Sequence, residues 1–185
     1  MNKLNFFLNY LTDPRIATFA ATPQRIVKNV CKRINFEEDI IVVEYGPGDG
    51  AYTKYILKQM SPNSKLIAIE TNTKLEAYLR GINDDRLIVV NDDARNVLRI
   101  LNNNGCECAD YVISGIPFSF MTQQTGDGIV YDTFNILREG GKFLVYQFST
   151  NVKKYLEKYF EHVLIKIEFG LPLYYIFEAK KDYLE

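Results

Sequence analysis

At 185 residues, 47% hydrophobic and 14% aromatic, the chain is long enough to bury its own core and too apolar to stay disordered. Three cysteines and a lone histidine form neither a disulfide framework nor a conventional zinc spacing, so a reduced, cytoplasmic setting without a metal is expected. A net charge of −1 speaks against the broad positive surface of a nucleic-acid enzyme, and the chain shows neither a membrane-length apolar run nor the features of a secretory leader.

Residues 1–34 concentrate the positive charge: Lys3, Arg15, Arg25, Lys28, Lys32 and Arg33 stand against Asp13 alone. Such an arm on a near-neutral domain suits an anionic membrane surface or another anionic partner, so a peripheral position on the inner face of the membrane is a further expectation. Leu4, Phe7, Leu8 and Leu11 fall on one helical stripe that Asp13-Pro14 ends. The stripe has two readings, one packed on the domain and one lying at a lipid interface. A second helix is expected with Thr22 as N-cap and Pro23 at its first position, running through Ile26, Val27, Val30 and Ile34. The arm, 1–34, is assigned to the same domain as residues 35–185, which carry the ligand-binding fold.

Ile40-Ile41-Val42-Val43 is a short aliphatic run that reads as a strand buried on both faces. Glu44-Tyr45-Gly46-Pro47-Gly48-Asp49-Gly50 follows, a turn whose glycines let backbone approach a ligand closely. The spacing is G-x-G-x-G and differs from the G-x-G-x-x-G of dinucleotide folds. Glu44 would repel a pyrophosphate and attract a cationic or amino-bearing ligand.

Strand and helix then alternate. Helices are expected near 52–60, 74–80, 94–101, 129–137 and 152–160. Strands are expected at 65–70, 86–91, 111–114, 142–148, 163–169 and 173–179, with a Gly140-Gly141 turn and a final hairpin through Gly170-Leu171-Pro172. This is an α/β pattern: a Rossmann-like, seven-stranded, mostly parallel sheet with helices on both faces and a C-terminal antiparallel hairpin. Ligands belong at the carboxyl ends of its strands. Thr125-Gly126-Asp127-Gly128 is expected to be a mobile segment that closes over substrate.

The glycine loop resembles the E-x-G-x-G-x-G motif of class I S-adenosylmethionine-dependent methyltransferases. That resemblance implies S-adenosylmethionine as cofactor and S-adenosylhomocysteine as product. Glu44, Gly46, Gly48 and Gly50 would form the loop, Glu70 would meet the ribose, Thr71 would join the cofactor-binding set, and Asp93 and Ala94 would meet the adenine, with Asp92 less favoured because neighbouring strand residues point oppositely. Ser114 joins this cofactor set. Ser114-Gly115-Ile116-Pro117-Phe118 stands where amino-methylating relatives often carry [ND]-x-P-[FY], with glycine in place of Asn or Asp. It resembles the S-G-[LI]-P-F signature of bacterial phosphatidylethanolamine N-methyltransferases, which are related to rRNA adenine dimethylases.

The resemblance implies an N-methyltransferase acting on a phospholipid amino head group. Ser114 and the Gly115 carbonyl would orient the amine, and Phe118 would form an aromatic wall. Tyr10, Tyr45, Tyr52 and Tyr146 are candidate proton acceptors, and His162 reads as structural. Two alternatives stay open: a relative of rRNA adenine N6-methyltransferases, and a non-catalytic S-adenosylmethionine-binding protein.

Overall fold

The computed structural model describes residues 22–170 and 173–182; the Leu4 to Leu11 stripe lies outside them. In chain order the elements are α1 (Gln24–Cys31), β1 (Ile41–Tyr45), α2 (Ala51–Gln59), β2 (Lys65–Glu70), α3 (Thr73–Arg80) and β3 (Leu87–Asn91). A 3-10 turn (Ala94–Asn96) leads into α4 (Val97–Asn103), β4 (Ala109–Ser114), a second 3-10 turn (Phe118–Phe120) and α5 (Gln123–Ile136). β5 (Leu137–Gln147), α6 (Lys153–Tyr159), β6 (His162–Glu168) and β7 (Tyr174–Lys180) complete the described chain.

The strands form one seven-stranded sheet in the order β3-β2-β1-β4-β5-β7-β6. The first five run parallel, and β7 enters antiparallel between β5 and β6. This is the expected Rossmann-like sheet with its terminal hairpin. Alternation along each strand divides the core into two layers. Val43, Tyr45, Ile67, Val112, Phe143, Val145 and Phe177 meet α4, α5 and α6 on one face, while Val42, Leu66, Ile113, Leu144 and Ile176 meet α1 and α2 on the other. Each buried Val, Leu, Ile or Phe in these layers contributes about 1.5–3 kcal/mol.

Several local expectations are revised. Pro23 is the residue before α1, not its first member: its carbonyl accepts from Ile26 N at 2.8 Å, and no side chain caps the helix. Ile34 lies beyond the helix end and is buried by the turn that follows. Two of the arm's cations are engaged internally, which restricts what remains for a membrane. Arg33 and Lys142 both pair with Glu178 on β7, at 3.0 and 2.7 Å, and Arg25 reaches Glu168 at 3.3 Å and the Phe169 carbonyl at 2.6 Å. Lys28 and Lys32 stay exposed. Gly140 and Gly141 lie within β5, at a register shift against β4 between Ala109 and Tyr111.

Residues 125–128 are not a loop. Thr122 accepts from Thr125 N at 3.2 Å and starts α5 ahead of both glycines. Gly126 lets α6 come close, since a Cβ there would lie 2.7 Å from Tyr155 Cε2, whereas Gly128 has nothing within 4 Å. The two glycines therefore respond oppositely to alanine. Gly128→Ala is expected to stabilise by about 1 kcal/mol through helix propensity. Gly126→Ala loses that gain to a packing clash of about 1–3 kcal/mol. Urea unfolding of the pair checks this, and equal midpoints would contradict it.

Candidate cofactor and acceptor site

The loop after β1 has its glycines in the left-handed region, with φ of 65° at Gly46, 59° at Gly48 and 73° at Gly50. An L-residue at any of them would cost about 1–2 kcal/mol from backbone strain. Gly46 is also sterically required: a Cβ would meet Ile116 Cγ2 at 2.9 Å. Its N–H donates to the Ile69 carbonyl at 3.0 Å, so the loop leaves the sheet as a continuation of the β1–β2 ladder.

Beneath the loop sits Glu44, 1% exposed. Thr53, one turn into α2, donates its hydroxyl to Glu44 Oε2 at 2.6 Å, and Oε1 has no partner among the described residues. Burial pushes the Glu44 carboxyl up to about 7, opposed by the Thr53 hydroxyl and assisted by the nearby charges of Asp49 and Glu70.

Glu70 closes β2 with both oxygens engaged by backbone. Oε2 accepts from Gly48 N at 3.2 Å and Oε1 from Asn72 N at 2.9 Å, so one carboxylate ties the glycine loop to the start of α3. Beside it opens a cavity of about 420 Å³ lined by Gly46, Thr71, Asp93, Ala94, Ile116 and Phe120 among others. That volume lies in the range of small-molecule sites.

Asp92 and Asp93 both reach this cavity. Asp92 accepts from Asp93 N at 2.8 Å and Asn96 Nδ2 at 2.7 Å and pairs with Arg99. Asp93 accepts from Arg95 N and Nε, each at 2.9 Å. Burial opposes ionisation of Asp93, but these Arg95 contacts outweigh it and hold the carboxyl below its ordinary value.

On the acceptor side the candidates separate. Ser114 is fully buried in register with Tyr45 and Val145, facing α5, and its Oγ has no partner among the described residues. Phe118, expected as a wall, is 1% exposed and packs in the core with Tyr155 at 6.4 Å between ring centres. The reason is the 3-10 turn after Pro117: it directs Phe118 inward and leaves Phe120 at the cavity. Sequence reasoning did not single out Phe120. Its only signal was aromatic spacing of two after the proline.

The tyrosines are ranked by position. Tyr45 Oη contacts Thr133 Oγ1 at 3.0 Å in the core below α5. Tyr52 and Tyr146 stack at 4.3 Å and 25° on the opposite face, with Tyr52 buried and Tyr146 half-buried. Tyr10 lies outside the described residues. His162 is exposed on β6, where Nδ1 and Asp182 lie 3.0 Å apart.

The donor set suits a nucleoside with a cationic tail. The glycines leave room for close approach, Glu70 and Asp93 offer acceptors at adjacent strand tips, and the unpartnered Glu44 oxygen is a buried acceptor near the loop. Residues 5–102 match the family described as ribosomal RNA adenine dimethylase. The chain belongs to that family. Like other members of this adenine dimethylase family it is a class I S-adenosylmethionine-dependent methyltransferase.

Among curated proteins, the ornithine lipid N-methyltransferase of Singulisphaera acidiphila is 26% identical over 156 residues, 83% of this chain and 81% of that protein. The ribosomal RNA small subunit methyltransferase H of Flavobacterium johnsoniae is 27% identical over a shorter stretch, 46% of this chain and 28% of that one. The fold is shared with precorrin-6y C5,15-methyltransferase from Geobacter metallireducens, with a TM-score of 0.68, 16% identity, and coverage of 87% of this chain and 91% of that one. It is shared too with the T. thermophilus 16S rRNA N2 methyltransferase RsmC in complex with AdoMet and guanosine, with a TM-score of 0.67, 17% identity, and coverage of 88% of this chain and 44% of that one.

Proposed function

We propose that the enzyme N-methylates the amino head group of a lipid, with phosphatidylethanolamine and ornithine lipid as the acceptors to be tested first. The observation that carries this reading is the likeness to a lipid N-methyltransferase along 83% of the chain, joined by glycine at position 115. Amino-methylating relatives often carry a side-chain amide or carboxylate there, which can hold a planar amino edge. Gly115 offers only its carbonyl.

When bound, S-adenosylmethionine supplies a sulfonium methyl open to in-line attack. In this reading Glu44, Gly46, Gly48 and Gly50 seat its amino acid end, Glu70 and Thr71 its ribose, and Asp93 and Ala94 its base. The Gly115 carbonyl borders the transfer point, with Ser114 buried behind it at the end of β4, and alignment of the amine is the main demand on the protein. Exposed Lys28 and Lys32, with Lys3 and Arg15 before them in sequence, support a peripheral contact with anionic lipid. Residues 1–34 would then be the substrate-facing part of a single domain.

The family name favours a second reading, transfer to an adenine amino group of ribosomal RNA. One assay separates the two. Purified protein and methyl-labelled S-adenosylmethionine are incubated with vesicles containing phosphatidylethanolamine, vesicles containing ornithine lipid, or 16S rRNA. Label is expected in the lipid extract and absent from RNA; labelled RNA with unlabelled lipid would overturn the proposal.

A further inference from the structure

Gly115 differs from the loop glycines in one respect: its φ is not positive, so its backbone conformation is open to any residue. What requires glycine is space. A Cβ built on Gly115 would lie 2.6 Å from Tyr146 Cζ and closer still to the phenol oxygen. The Tyr146 ring, projecting from β5, therefore occupies the place where a residue 115 side chain would stand.

The ring is held there from two sides. Its strand is paired with β4 through Val145 and Ser114 and with β7 through Tyr146 and Ile176, and its face stacks on Tyr52 of α2. The hydroxyl has no hydrogen-bond partner among the described residues, and the side chain is half-buried. Glu44, Tyr174, Asp49 and Cys31 lie within electrostatic reach of it.

We propose that the Tyr146 phenol oxygen replaces the missing side chain at position 115 and accepts a hydrogen bond from the acceptor amine at the moment of transfer. This rests on the amine reading above. The nitrogen lone pair forms the new N–C bond while the C–S bond breaks, its electron pair going to sulfur, and the methylated nitrogen releases one proton to water. Burial, followed by the nearby Glu44 carboxyl, pushes the Tyr146 phenol well above its ordinary range, so the group stays neutral. A neutral phenol orients the lone pair without removing the proton itself.

The pair also sets specificity. A carboxamide at 115 would present a planar acceptor and donor together, as a base edge demands. A phenol oxygen beside two stacked rings offers one acceptor and aromatic faces, which suit a tetrahedral, progressively methylated nitrogen.

Two measurements test this together. Without cofactor, Gly115→Asn is expected to lower the melting temperature by roughly 5 °C, because the new side chain collides with Tyr146. In a Tyr146→Ala background the same substitution is expected to cost nothing further, a coupling that two independent sites would lack. Tyr146→Phe keeps ring and stack. It is expected to retain the wild-type melting temperature and S-adenosylmethionine affinity, while kcat on phosphatidylethanolamine or ornithine lipid vesicles falls about 10- to 100-fold with little change in KM. Wild-type kcat in Tyr146→Phe, or a Gly115→Asn penalty that persists in the Tyr146→Ala background, overturns the proposal while leaving the amine reading standing. Failure of the wild-type protein to methylate either lipid overturns both.

Discussion

Replacing Glu70 with alanine is expected to weaken S-adenosylmethionine binding about 100- to 10,000-fold, since two charge-assisted hydrogen bonds of about 1.5–3 kcal/mol each are removed. The carboxylate is 5% exposed, at the tip of β2 beside the cavity, and no other acidic side chain of β2 stands near it. It also ties Gly48 N and Asn72 N, so the loop loses its crosslink to α3 as well. Asn72 still caps α3 through Lys74 N and Leu75 N, and the fold is expected to survive. Glu70→Gln keeps an acceptor of the same shape and should lose only about tenfold. Calorimetric titration with S-adenosylmethionine, beside a melting curve, checks both. Affinity within threefold of wild type in Glu70→Ala would remove the ribose contact from the reading.

The second large effect is a stability that falls as pH rises. Glu44 has its pKa raised to about 7 in the fold against 4.5 for an ordinary carboxyl, with burial as the main cause. Between those values the folded state holds a proton that the unfolded state has lost, so the unfolding free energy decreases with rising pH. The decline begins near pH 4.5 and levels off above about 7, and a shift of that size corresponds to roughly 3 kcal/mol. Thr53 from α2 bonds Glu44, and Asp49 from the loop, Glu70 from β2, Cys31, Tyr52 and Tyr146 lie within electrostatic reach of it.

Glu44→Gln keeps the acceptor for Thr53 and removes the charge, so it should be more stable than wild type at pH 8 and nearly equal at pH 4.5. Urea unfolding across that range gives the difference directly; parallel curves for the two proteins would refute the assignment. A cationic ligand reverses the penalty. S-adenosylmethionine should bind more tightly as pH rises through 7 and should release a proton on binding, visible as a buffer-dependent heat.

Much of the fold was legible because its signals were local and repeated. The run Ile40 to Val43 is apolar at every position, as a strand covered on both faces must be, and the three glycines that follow do need left-handed backbone. Glu70 and Asp93 could be placed because strand ends in a parallel sheet lie side by side. The misreadings share a different cause. Gly126 looks like a helix breaker until Tyr155 is set against it from a helix about thirty residues away. Phe118 looks like a wall until Pro117 and the short turn direct it inward. The partnership of Gly115 with Tyr146 was equally hidden, because the two are brought together only by the pairing of β4 with β5.

The position of β7 carries a consequence for biosynthesis. It is the last strand of the sheet in sequence but lies inside it, bonded to β5 on one side and β6 on the other. A nascent chain that has not yet released residues 174–180 from the ribosome therefore leaves the hydrogen-bonding edge of β5 unpaired and β6 without a neighbour. Final closure depends on contacts distant in sequence, which form slowly. Until then the exposed edge of β5 is a template for association with other polypeptides.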